Sequence, residues 1–141
     1  MTSFRLEAFD ANERNALSKI VKDYGVVYIT SITRDGCSGC EEQEPLFKDL
    51  AAKLTKAHDH RISFNNVHVR YADGETHESA KAKRIFGHGS YPTYMIHVKS
   101  HYGPLEHYRA AYPKIEDLEQ QATNALELAK FYLEQSTTAR D

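Results

Sequence analysis

Cys37 and Cys40 are the only cysteines in the 141-residue chain, and they form a single C-x-x-C. About 1.4% of the ways to place two cysteines in a chain of this length give that spacing, so the pair reads as chemistry rather than accident. A purely structural cross-link is a poor alternative, because so short a loop constrains the unfolded chain little. Sulfurs three residues apart in a first helical turn come within bonding reach. The chemistry implied is thiol–disulfide exchange. The Cys37 thiolate attacks a disulfide on another molecule, and Cys40 then displaces that molecule and leaves an intramolecular bridge. With both thiols on one chain the second step is effectively unimolecular.

That scheme asks for a particular setting. Gly36-Cys37-Ser38-Gly39-Cys40 lies where an apolar segment gives way to a helical one. Cys37 is expected exposed at the helix N-terminus, where unpaired N–H groups and the positive dipole end favour thiolate over thiol. Cys40, further into the helix, is expected shielded. The dipole lowers a thiol modestly from about 8.5. Asp35, Glu41, Glu42 and Glu44 oppose it wherever they approach the sulfur, although an acidic run at a helix start also has a purely structural use.

The flanking elements follow from periodicity. Phe4, Leu6 and Ala8 alternate with polar residues as in a short strand. Asp10-Ala-Asn-Glu13 resembles a capping box, with Ala16, Leu17, Ile20 and Val21 at helical spacing up to Gly25. Val26–Ile32 is rich in β-branched residues and predicts a buried strand. Leu46, Phe47, Leu50 and Leu54 mark a helix to Thr55, followed by a polar loop over Lys56–His60. Ile62–Tyr71 predicts a strand and Glu75–Phe86 an amphipathic helix stopped by Gly87. Thr93–Val98 and Leu105–Tyr108 flank a Tyr-Gly-Pro turn as a hairpin. Ile115, Leu118, Ala122, Ala125, Leu126, Ala129 and Leu133 lay an apolar stripe along one closing helix. Strands alternating with helices and then an antiparallel pair predict an α/β domain, with a central mixed sheet and helices on both faces.

Length and composition are those of one domain spanning 1–141. With 40% hydrophobic residues and a net charge of −2, the chain lacks the basic excess that drives binding to nucleic acid or a membrane surface. The longest apolar run, Val26-Val27-Tyr28-Ile29, is too short to span a bilayer. The first residues lack the charged-then-apolar profile of a secretory signal, so a cytoplasmic protein is expected.

The combination of motifs resembles the thioredoxin family, including the thioredoxin-like domains of protein disulfide isomerases. Cys37-Ser-Gly-Cys40 follows an apolar strand. Pro45, five residues after the second cysteine, matches the family's helix-kinking proline. Phe86-Gly87-His88-Gly89-Ser90-Tyr91-Pro92-Thr93 is similar to the family segment that ends in an apolar residue, a cis-proline and a threonine. The resemblance covers nearly the whole chain. It implies a thioredoxin-like fold in which Pro92 is cis and faces the cysteines, with Tyr91 and Thr93 offering backbone groups to an extended substrate. Three departures stand out. Gly36 occupies the position of the usual aromatic residue before the first cysteine. Ser31 stands where the family has a buried carboxylate, which removes the usual proton route to the second cysteine. Ser38-Gly39 replaces the common Gly-Pro pair, so a looser helix start is expected.

The expected function is therefore a thiol–disulfide oxidoreductase, with Cys37 as nucleophile, Cys40 as resolving thiol, and Gly36, Ser38 and Gly39 as active-site neighbours. Its partners would be protein disulfides held beside Pro92, and an external reductase or small thiol as electron donor. No bound cofactor is needed, since the cysteines carry the electrons. The alternative is a protein-binding adaptor on the same fold with little redox turnover. A zinc site finds little support, because the eight histidines offer no i, i+4 pair on a helix. His58 and His60 fall in a polar loop, and His88 is the histidine expected nearest Cys37, where it would tune the thiolate. A hydrolase reading fails for lack of a G-x-S-x-G elbow around Ser38. Tyr108, Tyr112, Phe131 and Tyr132 form a candidate patch for weak dimerisation; a monomer or weak dimer is expected.

Overall fold

The computed structural model describes residues 1–9 and 16–138. Five strands form one mixed sheet in the order β1-β3-β2-β4-β5. Here β1 is Thr2–Arg5, β2 Val27–Arg34, β3 Ile62–Val69, β4 Thr93–Ser100 and β5 Gly103–Ala111. β3 pairs parallel with β1 and β2, while β4 pairs antiparallel with β2 and β5. The helices are α1 (Ser38–His58), α2 (His77–Phe86) and α3 (Ile115–Thr138).

Alternation along β2 decides which layer covers which face. Val27 and Ile29 meet Phe47, Leu50 and Leu54 of α1 and Leu118, Ala122 and Ala125 of α3. Tyr28 and Ile32 point the other way, into a cluster with Leu6, Phe9, Ala82 and Phe86 that includes α2. The expected α/β architecture, with helices on both faces of a mixed sheet, is present.

Several boundaries differ from the periodicity reading. The first strand stops at Arg5, and Leu6–Ala8 coils as a short 3-10 turn that buries Leu6 and lets Phe9 meet Phe86 edge-on at 5.3 Å. A regular helix does not reach Gly25. Residues 16–19 make one 3-10 turn, in which Ile20 and Val21 both donate to the Leu17 carbonyl, and the expected cap at 10–13 lies outside the described residues. Ile20 and Val21, the adjacent apolar pair that follows this turn, are both buried. α1 starts at Ser38, as the placement of the cysteines in its first turn predicts, and is longer than expected at its C-terminal end, running through Lys56 to His58. α2 starts at His77, because the Thr76 side chain accepts from the Ser79 N–H as its cap, and Gly87 closes it in the left-handed region.

The α2-side layer also holds two buried histidines. His97 lies with its Nε2 3.7 Å from Glu106 Oε1, and His88 packs edge-on against Tyr91 at 4.7 Å. Burial pushes both down to about 4. They are neutral in the fold, whereas the unfolded chain charges them near 6.5, so their contribution is full above about 6.5 and is lost as pH falls towards 4.

Leu118→Ala, at a fully buried position of α3, is expected to lower stability by about 2–5 kcal/mol in urea unfolding. His88→Phe should flatten the fall of the urea midpoint between about pH 6.5 and 4.5; an unchanged slope would show that this histidine titrates alike in both states.

Candidate active site

Cys37 is the N-cap of α1, and its Sγ accepts the Cys40 N–H at 3.1 Å. The two cysteines are joined as a disulfide, with Cα atoms 5.2 Å apart. The helix that begins there is 21 residues long. Its first-turn N–H groups are the donors that stabilise negative charge on a sulfur at this point. The expected placement of the dithiol at a strand–helix junction is thus found. The expected difference in exposure is not: Cys37 is 4% and Cys40 6% exposed. Cys40 lines a surface cleft, together with Ser31, Thr33 and Asn66 on the sheet.

Local backbone explains the departures around the motif. Gly36 has φ 62, in the left-handed region, and Arg34 Nη1 donates to the carbonyls of Asp35 at 2.8 Å and Gly36 at 3.2 Å. Any side chain at position 36 would add strain there, which accounts for glycine in place of an aromatic residue. The Arg34 guanidinium also stacks 4.3 Å from the Tyr71 ring centre and 5.8 Å from that of Tyr91. Gly39 has a different reason. A Cβ built there would lie 2.9 Å from Tyr112 Cε2 and 3.4 Å from Pro92 Cδ. Instead of a looser helix start, the small residue gives a close contact with a ring and with Pro92.

Tyr112, 48% exposed, was expected in a dimer patch and instead covers the cysteine turn. It follows β5 with φ 48, a strained value for a bulky residue. Its N–H donates to the Pro92 carbonyl at 3.0 Å and its hydroxyl to Glu42 Oε2 at 2.5 Å. The hydrogen bond to Glu42 raises the phenol above its ordinary range. Gln43 Nε2 donates to the Pro113 carbonyl at 2.7 Å, fastening α1 to the same connector. The rest of the expected patch disperses: Tyr108 and Tyr132 pack against the α1–α3 core, and Phe131 remains on the surface.

The Tyr91–Pro92 peptide is cis. Thr93 opens β4, in register with Ile32 and Ala111, and its hydroxyl donates to the Ser90 carbonyl at 2.7 Å. Burial pushes the Tyr91 phenol up to about 12. His88 sits between Phe86 and Tyr91. Ser31 is buried and accepts from Asn66 Nδ2 at 2.8 Å. Asp35 and Glu44, feared as local repulsion, are engaged elsewhere, Asp35 with His68 at 2.7 Å and Glu44 with Lys48 at 2.9 Å. Among the described residues no group of three or more His, Cys, Asp or Glu side chains is arranged to hold a metal ion.

Solved structures decide the fold. Thioredoxin from Malassezia sympodialis superposes with a TM-score of 0.61 at 12% identity, over 89% of this chain and 91% of that one. Thioredoxin from Fasciola hepatica gives 0.60 at 15% identity, over 88% and 98%. The chain has the thioredoxin-like fold. No protein-family model and no curated protein matches the sequence. A third similar structure, at 0.55 and 15% identity over 92% and 96%, is a complex of ferredoxin:thioredoxin reductase with thioredoxin f2. For this thioredoxin-like chain the likeness lies in the fold, at 12–15% identity to these three structures.

A double-mutant cycle tests the ring contact. Gly39→Ala should destabilise the oxidised protein, yet stabilise a Tyr112→Ala background by about 0.5–1 kcal/mol, because alanine suits a helix better than glycine. Equal effects in both backgrounds would show that the ring does not restrict position 39.

Proposed function

We propose that the chain is a thiol–disulfide oxidoreductase acting on protein disulfides. The observation that carries this reading is the Cys37–Cys40 bridge at the N-cap of α1, with the Cys40 N–H directed at the Cys37 sulfur. Starting from the dithiol, the Cys37 thiolate attacks one sulfur of a partner disulfide, and the partner's other sulfur leaves as a thiolate and takes a proton. Cys40 loses its proton and attacks Cys37 Sγ. The mixed disulfide breaks, and the partner departs fully reduced by two electrons while the chain keeps the bridge. Cys37 is the nucleophile and Cys40 the resolving thiol. Pro92 lies beside Gly39 of the turn, and Tyr91, Pro92 and Thr93 are our candidates for holding an extended substrate segment, with Gly36, Ser38 and Gly39 shaping its approach. The Pro92 carbonyl already accepts the Tyr112 N–H, which leaves one lone pair for a partner strand. The cysteines supply the electrons without a bound cofactor, and an external reductase or small thiol of a reducing, cytoplasmic compartment would restore them. The reductase complex among the similar structures favours a reductase in this role.

The burial of both sulfurs favours a second reading, a binding adaptor whose bridge turns over little. Insulin reduction driven by a small dithiol separates the two. Wild type should accelerate it and Cys37→Ser should return it to the uncatalysed rate, while Cys40→Ser should accumulate a covalent adduct visible by mass. A folded wild type without acceleration would leave the adaptor.

A further inference from the structure

The cleft beside Cys40 contains titratable side chains that the exchange scheme leaves unused. Its floor is the α1-side face of β2 and β3, its wall the first turns of α1, and its volume about 420 Å³. Asn66 Nδ2 donates to Ser31 Oγ at 2.8 Å and to Thr33 Oγ1 at 3.1 Å. Thr33 Oγ1 lies 2.9 Å from His68 Nδ1, and His68 Nε2 lies 2.7 Å from Asp35 Oδ1. The second oxygen of Asp35 accepts the Tyr71 N–H at 3.2 Å. The hydrogen bond from His68, and then that from Tyr71, hold Asp35 below the usual carboxylate range. With an ionised Asp35 as acceptor, Nε2 carries the imidazole hydrogen. Nδ1 is then the free acceptor, facing the Thr33 hydroxyl.

The resolving step needs such an acceptor. An unperturbed thiol titrates near 8.5 and is mostly protonated at neutral pH, so it must give up its proton to attack. The buried Ser31 beneath it offers a hydroxyl, which is no base. Resting on the redox reading above, we propose that His68 is the proton acceptor for Cys40, with Thr33 as relay and Asp35 as the positioning residue. The proton leaves Cys40 Sγ through water in the cleft to Thr33 Oγ1, whose own proton passes to His68 Nδ1. Cys40 Sγ bonds to Cys37 Sγ, the Cys37–partner S–S bond breaks, and the departing thiolate recovers the proton from the half-exposed imidazolium through solvent. The imidazolium formed lies against the Asp35 carboxylate. The other charged groups around the cleft are Arg34 at the end of β2, Glu41, Glu44 and Lys48 on α1, and Met1 at the rim; Arg70, beyond β3, acts on Asp35. Glu44 and Lys48 neutralise each other, and Arg34 is committed to backbone carbonyls.

The test is the reaction of the reduced full chain with excess chromogenic aromatic disulfide, followed by stopped flow between about pH 6 and 9.5. The first phase reads attack by Cys37 and the second reads displacement by Cys40. His68→Gln should leave the first phase near wild type and slow the second roughly tenfold or more at pH 7, with the gap closing near pH 9.5, where the thiol ionises unaided. Asp35→Asn, which keeps the ring and removes the carboxylate that faces it, should slow the second phase several-fold at pH 7 and, like His68→Gln, lose that effect near pH 9.5. A His68→Gln profile parallel to wild type, or a loss independent of pH, overturns the proposal, and so does a second phase at the wild-type rate in Asp35→Asn. Loss of insulin turnover with this second phase intact would instead overturn the protein-disulfide reading alone.

Discussion

The hydrogen bond from the Cys40 N–H to Cys37 Sγ fixes where α1 begins, and much else follows from that register. Counting from the cap, Cys40, Gln43, Phe47, Leu50 and Leu54 fall on the sheet-facing side and are buried. The same phase therefore sets the cysteine turn against the sheet and the apolar stripe into the α1–α3 core. A shift of one residue would turn this stripe by about 100°, exposing leucines and carrying Cys40 away from its partner. The core thus enforces the geometry of the site. Gln43, buried in the same stripe and bonded to the Pro113 carbonyl, extends that control to the connector carrying Tyr112.

Tyr112 accounts for features that look unrelated in the chain. Its ring leaves no room for a Cβ at Gly39, its N–H occupies the Pro92 carbonyl, and its hydroxyl engages Glu42. A bulky residue held at φ 48 persists only where its surroundings over-determine it, and here three contacts do so. Covering the turn with a side chain half open to solvent is a different solution from covering it with the core. The ring can leave without unfolding a helix or a strand.

How much of this was legible in the sequence depended on the range of the interaction. The dithiol, the helix cap and the strands β2 and β4 follow from short-range patterns: spacing, β-branched runs and glycine stops. The apolar spacing of Ala16, Leu17, Ile20 and Val21 fits one helical turn as well as several, and only a 3-10 turn over 16–19 forms. α1 runs past Thr55 because its last residues, Lys56–His58, bury nothing apolar, and an apolar stripe gives no signal there. Tyr112 could not be assigned to the site at all, since it lies some seventy residues from Glu42 and only the sheet order brings them together. A weak local signal did exist. Tyr112 is followed by Pro113 directly after the second hairpin strand, a place where the chain must turn.

The network along β2 and β3 was hidden for the same reason, although its members obey a simple rule. Ser31 and Thr33 alternate along β2, with Asp35 just past its end, and Asn66 and His68 alternate beside them along β3, with Ser31 opposite Asn66 and Thr33 opposite His68. Parallel pairing sets these side chains side by side on one face, so polar residues at every second position become a continuous hydrogen-bonded row. Deeper along the same face, Ile29 and Phe64 are in register and belong to the core. The row therefore runs from the apolar interior, at Ser31, to solvent, at His68 and Asp35. A carboxylate placed at Ser31 would be desolvated at the inner end, whereas the Asp35–His68 pair keeps its charge at the outer end, where water stabilises it. Moving the ionisable groups outward along the strand, while leaving hydroxyls and an amide to span the interval, gives this face a polar path without a buried charge.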